Sequence, residues 1–110
     1  AGNLGKVLRE SLPSLCTHLR ITDREEMTDI AAREEAIVAD VADADAMMEM
    51  TKNVDAVIHM GGQSIEGSWE NVLNSNIIGF YNMYEGCRKN GVKRLAARIT
   101  EPKGSMAIRV

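Results

Sequence analysis

Segments with helical apolar spacing alternate with short strand-like runs along nearly the whole chain, and few architectures accept that order. Residues 2–12 begin with glycines, place Leu4, Val7, Leu8 and Leu12 near a helical repeat and stop at Pro13, so they predict a helix. Leu15 to Ile21 predicts a strand, and the charged residues 24–35 read as a loop or a short helix. The apolar run Ala36 to Ala39, ending at Asp40, predicts a second strand. Asp43 is placed to cap a helix over residues 44–52, with Met47, Met48 and Met50 as flexible apolar filling and Asn53 closing it. Val54 to Met60 is the strongest strand, ended by Gly61-Gly62 at a sharp loop. Ser68 caps the longest predicted helix, residues 69–90, whose Leu73, Ile77, Phe80, Tyr84 and Cys87 fall on one face before Gly91 stops it. A strand over Val92 to Ile99, a turn over Thr100 to Gly104 and a last short strand, Met106 to Val110, complete the pattern. The expected fold class is α/β, a three-layer sandwich with a mainly parallel sheet and helices on its faces.

At 110 residues and 45% apolar, the chain can build one small core. No apolar run approaches the roughly 18 residues that cross a bilayer, and Ala1-Gly2-Asn3 lacks the basic-then-apolar order of a signal peptide. No membrane association is expected, and a cytoplasmic location is. Cys16 and Cys87 are too few and too far apart for a disulfide framework. Charge is uneven, with Lys and Arg concentrated in residues 88–110 and acids in the remainder. No aromatic residue interleaves with those basic ones to stack bases, so they read as strand-flanking surface and nucleic acid is not an expected partner. Cys16 and His18 share a strand face in this reading, yet no second Cys/His pair completes a zinc site and no metal is expected. His59, inside an apolar strand, reads as a core histidine.

Gly2-Asn3-Leu4-Gly5 opens a helix, and Asp23 follows at the end of the next strand. Glycines at a helix start let backbone N–H groups approach a pyrophosphate, while a carboxylate at a strand end accepts hydrogen bonds from ribose hydroxyls. The same glycines also suit tight turns and close helix packing. Asp40 and Asp43, taken alone, are equally an ordinary strand end and a helix cap. Considered together, Ala1 to Gly5, Ile21-Thr-Asp23, Ala39 to Asp43, Val54 to Gly62, Asn74-Ser-Asn76-Ile-Ile-Gly79, Tyr81-Asn82 and Gly91 to Arg94 resemble the extended short-chain dehydrogenase/reductase family. Within it, Gly2 to Gly5 and Gly61-Gly62-Gln63-Ser64 look most like the NAD-dependent uronate dehydrogenases or a sugar-nucleotide epimerase relative. The resemblance implies a Rossmann-like sheet. It implies that Gly2, Asn3, Leu4 and Gly5 form the pyrophosphate loop, that Asp23 clamps the adenosine ribose of NAD, and that Asp40 and Val41 hold the adenine. It further implies that Met60, Gly61 and Gly62 pass beneath the ribose and that Asn76 lies near the cofactor. Arg24 beside Asp23 could pair with a 2′-phosphate, but Asp23 would repel that phosphate, so NAD is expected over NADP.

Departures from the family shape the functional expectation. Its Tyr general acid/base is assisted by a Lys four residues later, whereas Glu85 follows Tyr81 and Arg88 follows Tyr84 at that spacing. Leu95-Ala96-Ala97-Arg98 stands where the family places a Ser pair. No catalytic residue is assigned, and the expected function is the dinucleotide-binding half of a uronate-type oxidoreductase without turnover. The strand that leads into the glycines is not found before Ala1. Gly104-Ser105-Met106 resembles a cloning scar with a former initiator Met, making residues 104–110 a relocated first strand in a single partial domain, residues 1–110. That reading implies a truncated, circularly permuted or engineered chain. The tail is expected to run antiparallel to residues 92–99 or to insert into a second copy as a swapped strand, giving a homodimer, because residues 100–105 are too short for a parallel return. The competing expectation is a folding or assembly design that binds no ligand.

Overall fold

The computed structural model describes residues 2–62, 67–97 and 105–109. Its first element, α1 (Gly2–Ser11), carries no acid in its first turn and has Arg9 in its last. Pro13 then tightens the chain into a single turn over Leu12–Ser14, and the Cys16 amide donates to the Leu12 carbonyl at 3.1 Å. This turn delays β1 to His18–Asp23 and corrects the expected strand start at Leu15, which is exposed. Cys16 therefore precedes the strand and is buried, while His18 lies on β1 against Glu35, so the two do not share a strand face.

No helix forms between Arg24 and Arg33, and β2 (Glu34–Val38) begins two residues before the expected apolar run. It pairs in parallel with β1, Leu19 opposite Glu34 and Asp23 opposite Val38. Helix α2 (Ala44–Met50) starts where Asp43 accepts a hydrogen bond from the Ala46 amide at 3.1 Å. It ends earlier than expected because Thr51 turns its hydroxyl back onto the Met47 carbonyl and Asn53 adopts φ +57°. Met47 and Met50 are fully buried, as apolar filling requires.

Strand β3 (Ala56–His59) is followed by α3 (Trp69–Val72), where Ser68 caps the Asn71 amide. A π-type turn over Leu73–Ile78 leads into α4 (Gly79–Lys89), so the expected single helix has a widened middle. The expected apolar face is corrected: Ile77 and Tyr84 are exposed, and the buried stripe is Gly79, Asn82, Met83, Gly86 and Cys87. Two glycines in that stripe bring α4 close, Gly86 to α2 and Gly79 to Val41, and closeness rather than side-chain bulk decides which face turns inward. Strand β4 (Arg94–Ala97) pairs in parallel with β3.

Among the described residues, five strands form one sheet in the order β2-β1-β5-β3-β4. Strand β5 (Ser105–Arg109) lies between β1 and β3, antiparallel to both, with Ala107 opposite Arg20 and Val57. The tail thus runs against the other strands as the short connection requires. The expected pairing with residues 92–99 is corrected, because β5 lies beyond β3 from β4 and fills the central position between β1 and β3. The turn expected over Thr100 to Gly104, like Gln63 and Ser64, lies outside the described residues.

Two apolar clusters cover the two faces of the sheet. On one, Leu8 and Leu12 of the α1 segment pack with Cys16, Leu19, Ile21, Ile58 and Met60. On the other, Val41, Met47, Met50, Val57, Met83 and Cys87 join α2 and α4 to the strands. Arg20 fixes the second layer by donating to the Met50 and Lys52 carbonyls at 2.8 Å, capping the C-terminus of α2.

Candidate functional site

Strands β1, β2 and β3 all run in one direction, so the segments that leave their carboxyl ends gather along a single edge of the sheet. Three groups of sequence-nominated residues are there: Asp23 after β1, Asp40 and Val41 after β2, and Met60 to Gly62 after β3. In open α/β sheets this edge is where ligands bind, outside the carboxyl ends of the strands. The first helix reaches the same edge from its other end. Arg9, in the last turn of α1, donates to the Glu34 carboxylate at 2.6 Å and so pins that turn to the start of β2. Gly2 lies seven residues earlier, roughly 10 Å along the axis, which turns the glycine end toward the carboxyl edge. Backbone N–H groups at that end, with Gly5 buried beneath, form the kind of helix start that receives anions.

Asp23 is buried, and its Oδ1 accepts a hydrogen bond from the Glu25 amide at 3.3 Å. The Asp23 carbonyl accepts from the Ala39 amide at 2.9 Å, which joins the ends of β1 and β2. Arg24 points its guanidinium at Asp40, Nε to Oδ2 3.6 Å, with both side chains largely in solvent. An exposed pair of this length contributes little stability.

The Asp40–Asp43 connection is built as a compact turn. Asp40 Oδ1 accepts from the Ala42 amide at 2.9 Å, and the Asp43 amide donates to the Asp40 carbonyl. Val41, between them, is buried, and its carbonyl accepts from Asn82 Nδ2 at 3.0 Å. After β3, Met60 and Gly61 are buried and Gly62 adopts φ +152°, a conformation side chains disfavour. A Cβ at Gly62 would come within 2.6 Å of Asn76 Oδ1. Asn76, from the π-type turn, is therefore seated directly on the Gly62 backbone.

Contacts thus join the segments of Asp23 and of Asp40 and Val41, and separately seat Asn76 on Gly62, while topology places these two groups and Gly2 to Gly5 along one edge. The sequence reading missed Gly79, Asn82 and Gly86, which seat α4 against Val41 and α2. They are two glycines seven residues apart with an asparagine between them on the same helical face, a pattern that hydrophobic periodicity passes over. His59 is buried 5.8 Å from the Phe80 ring, and burial depresses its imidazole to about 4, so it is neutral near pH 7. Tyr81 and Tyr84 are exposed, and Arg88 is bound to Glu85 at 2.6 Å. Among the described residues, no group of three His, Cys, Asp or Glu side chains is arranged to hold a metal ion.

The NAD dependent epimerase/dehydratase family model matches residues 1–100. Uronate dehydrogenase of Pseudomonas syringae pv. tomato is 45% identical over 96 residues, which cover 86% of this chain and 35% of that enzyme. The uronate dehydrogenase of Agrobacterium fabrum is 40% identical over 95 residues. Among solved structures, a mutant uronate dehydrogenase from Agrobacterium tumefaciens in complex with NAD superposes with a TM-score of 0.83 at 38% identity, over 87% of this chain and 36% of that one. The chain spans about a third of the length of the curated relatives it matches.

Proposed function

Because this chain belongs to the NAD dependent epimerase/dehydratase family, we propose that it is the dinucleotide-binding part of a uronate-type, NAD-dependent oxidoreductase. The observation that carries this reading is Asp23, a buried carboxylate at the carboxyl end of β1, on the edge where α1 also starts. The residues present fit the cofactor. Gly62 lets the chain after β3 pass close beneath Asn76, α1 offers helix-start N–H groups for the pyrophosphate, and Asp23 offers a carboxylate for the ribose hydroxyls. Asp40 and Val41 would flank the adenine, Met60 to Gly62 would pass beneath the ribose, and Asn76 would lie beside it. Asp23 would meet a 2′-phosphate as a like charge, which supports NAD over NADP.

Bound NAD supplies a hydride acceptor, and the substrate proposed for the whole enzyme is a uronic acid oxidised at C1. This chain's part is to bind and orient. Neither tyrosine has a lysine four residues on, and a guanidinium does not replace an ammonium whose value lies in a tunable pKa. A second reading rests on β5, which fills the central slot in reverse and so cannot lead into the α1 glycines from the carboxyl edge. On that reading the chain is a rearranged fold that binds no ligand.

Calorimetric titration with NAD at low salt decides between them. The first reading expects saturable heat, and Asp23→Ala weakens binding by about 10- to 100-fold, the equivalent of losing hydrogen bonds to a charged group. No heat up to millimolar NAD overturns it and leaves the rearranged fold.

A further inference from the structure

We propose that Asn82 is a positioning residue for the adenine end of the dinucleotide, acting through the Val41–Ala42 peptide. The inference rests on the dinucleotide reading above. Asn82 is the polar side chain with the most to lose in the buried stripe of α4, since an amide out of water costs roughly 1–3 kcal/mol unless it is hydrogen-bonded. Its Nδ2 donates to the Val41 carbonyl at 3.0 Å, a link between residues 41 positions apart. The N–H on the other side of the same peptide, that of Ala42, donates to Asp40 Oδ1 at 2.9 Å. In a trans peptide the carbonyl and the N–H point in opposite directions. The plane is therefore gripped from both sides, by Asn82 from within and by the Asp40 carboxylate from without.

The side chain of Val41 is held as well. A Cβ on Gly79 would lie 2.5 Å from Val41 Cγ2, so the valine is seated in the notch that the glycine leaves. Asn82 and Gly79, one turn apart, fix three features of one residue: carbonyl direction, peptide plane and side-chain position. One turn earlier the same helical segment seats Asn76 on Gly62. A single rod of structure, residues 74–83, thus sets the spacing between the segment under the ribose and the segment beside the adenine. Removing the Asn82 donor frees the peptide to rotate and releases Asp40 with it.

The test uses the whole chain, titrated with NAD and with AMP, in the wild type and in Asn82→Leu, Asn82→Asp and Cys87→Ala. Cys87→Ala loosens the same helix face five residues on and leaves the Asn82–Val41 hydrogen bond and the Gly79 notch intact. The proposal expects Asn82→Leu to bind NAD and AMP about ten-fold more weakly, by the same factor for both, while Cys87→Ala lowers the melting temperature and leaves both affinities unchanged. Asn82→Asp keeps the shape and regains a donor only when its carboxyl is protonated. Its deficit should shrink as pH falls from 8 to 6. Equal binding by a folded Asn82→Leu variant overturns the positioning role and leaves the dinucleotide reading standing. If Asn82→Leu does not fold, a pH-independent, wild-type affinity in Asn82→Asp overturns it instead. Failure of the wild type to bind either ligand overturns both.

Discussion

His59 is 2% exposed near the carboxyl end of β3, and burial holds its imidazole at about 4 rather than 6.5. Protonation is thus easier in the unfolded chain, so stability is complete above about pH 6.5 and is lost as pH falls toward 4. The full difference is about 3 kcal/mol, from roughly 1.4 kcal/mol for each unit between the two values. Urea midpoints measured from pH 7 to pH 4 should fall in the wild type and fall less in His59→Gln; parallel slopes would remove His59 as the cause. Cys87 behaves in the opposite sense, since burial pushes its thiol up to about 11 and keeps the nucleophilic thiolate scarce. The folded protein at pH 8 should leave Cys87 unlabelled by iodoacetamide, and labelling there at the rate of a free thiol would show that the α4 face opens. Both residues were legible as core from the apolar runs around them, because burial follows from periodicity. Asn82 was not, because a lone polar residue in a helix carries no sign of the carbonyl it will meet 41 positions away.

Helices α2 and α4 approach so closely that a Cβ on Gly86 would lie 2.7 Å from Thr51 Oγ1 and 3.0 Å from the Met47 carbonyl. Substituting alanine in a helix ordinarily gains up to about 1 kcal/mol from propensity. Here the intruding methyl must move helix backbone, and overpacking of this kind costs about 1–3 kcal/mol, so Gly86→Ala should be net destabilising. Chemical denaturation measures it, and a gain in stability would mean that the two helices separate easily. Caps were readable at this scale: Asp43 and Ser68 each accept from the amide three residues on, because a short acceptor before a helix has a local partner. The inward face of α4 was not readable. Of its apolar spacing, Ile77 and Tyr84 are exposed while Leu73 and Phe80 are half-buried, and the π-type turn at Leu73–Ile78 changes the angular phase on which such spacing depends. Gly79, Gly86 and Asn82, residues that hydrophobic periodicity ignores, mark the true contact.

Across the whole molecule, the alternation of helix and strand revealed a layered α/β sheet, and short-range reach revealed that the tail must run against its neighbours. Neither revealed that β5 would stand between β1 and β3, since a choice of slot depends on which strand edges stay unpaired once the rest has folded. In the order β2-β1-β5-β3-β4, β5 bridges two strands that have no ladder to each other, so it joins the halves of the sheet. An interior strand pairs on both sides along its length, and proline is confined to edges because it lacks the N–H. Ala107, opposite Arg20 on one side and Val57 on the other, is the middle of that strand. Ala107→Pro should therefore act on the entire fold, with a loss of about 3 kcal/mol, comparable to proline in a helix interior. A domain of this size has roughly 5–15 kcal/mol in all and shifts its midpoint by about 4–8 °C per kcal/mol, so melting should drop by more than about 10 °C. The comparison variant is Ala36→Pro in the edge strand β2, where one side is free of partners and the cost should be smaller. If both prolines lower the midpoint equally, or Ala107→Pro leaves it unchanged, β5 does not join the sheet halves and the β1 and β3 edges are stabilised by other means. Amide exchange gives an independent reading: N–H groups of residues 105–109 should be protected as strongly as those of β1, because the two exchange only when the same ladder opens.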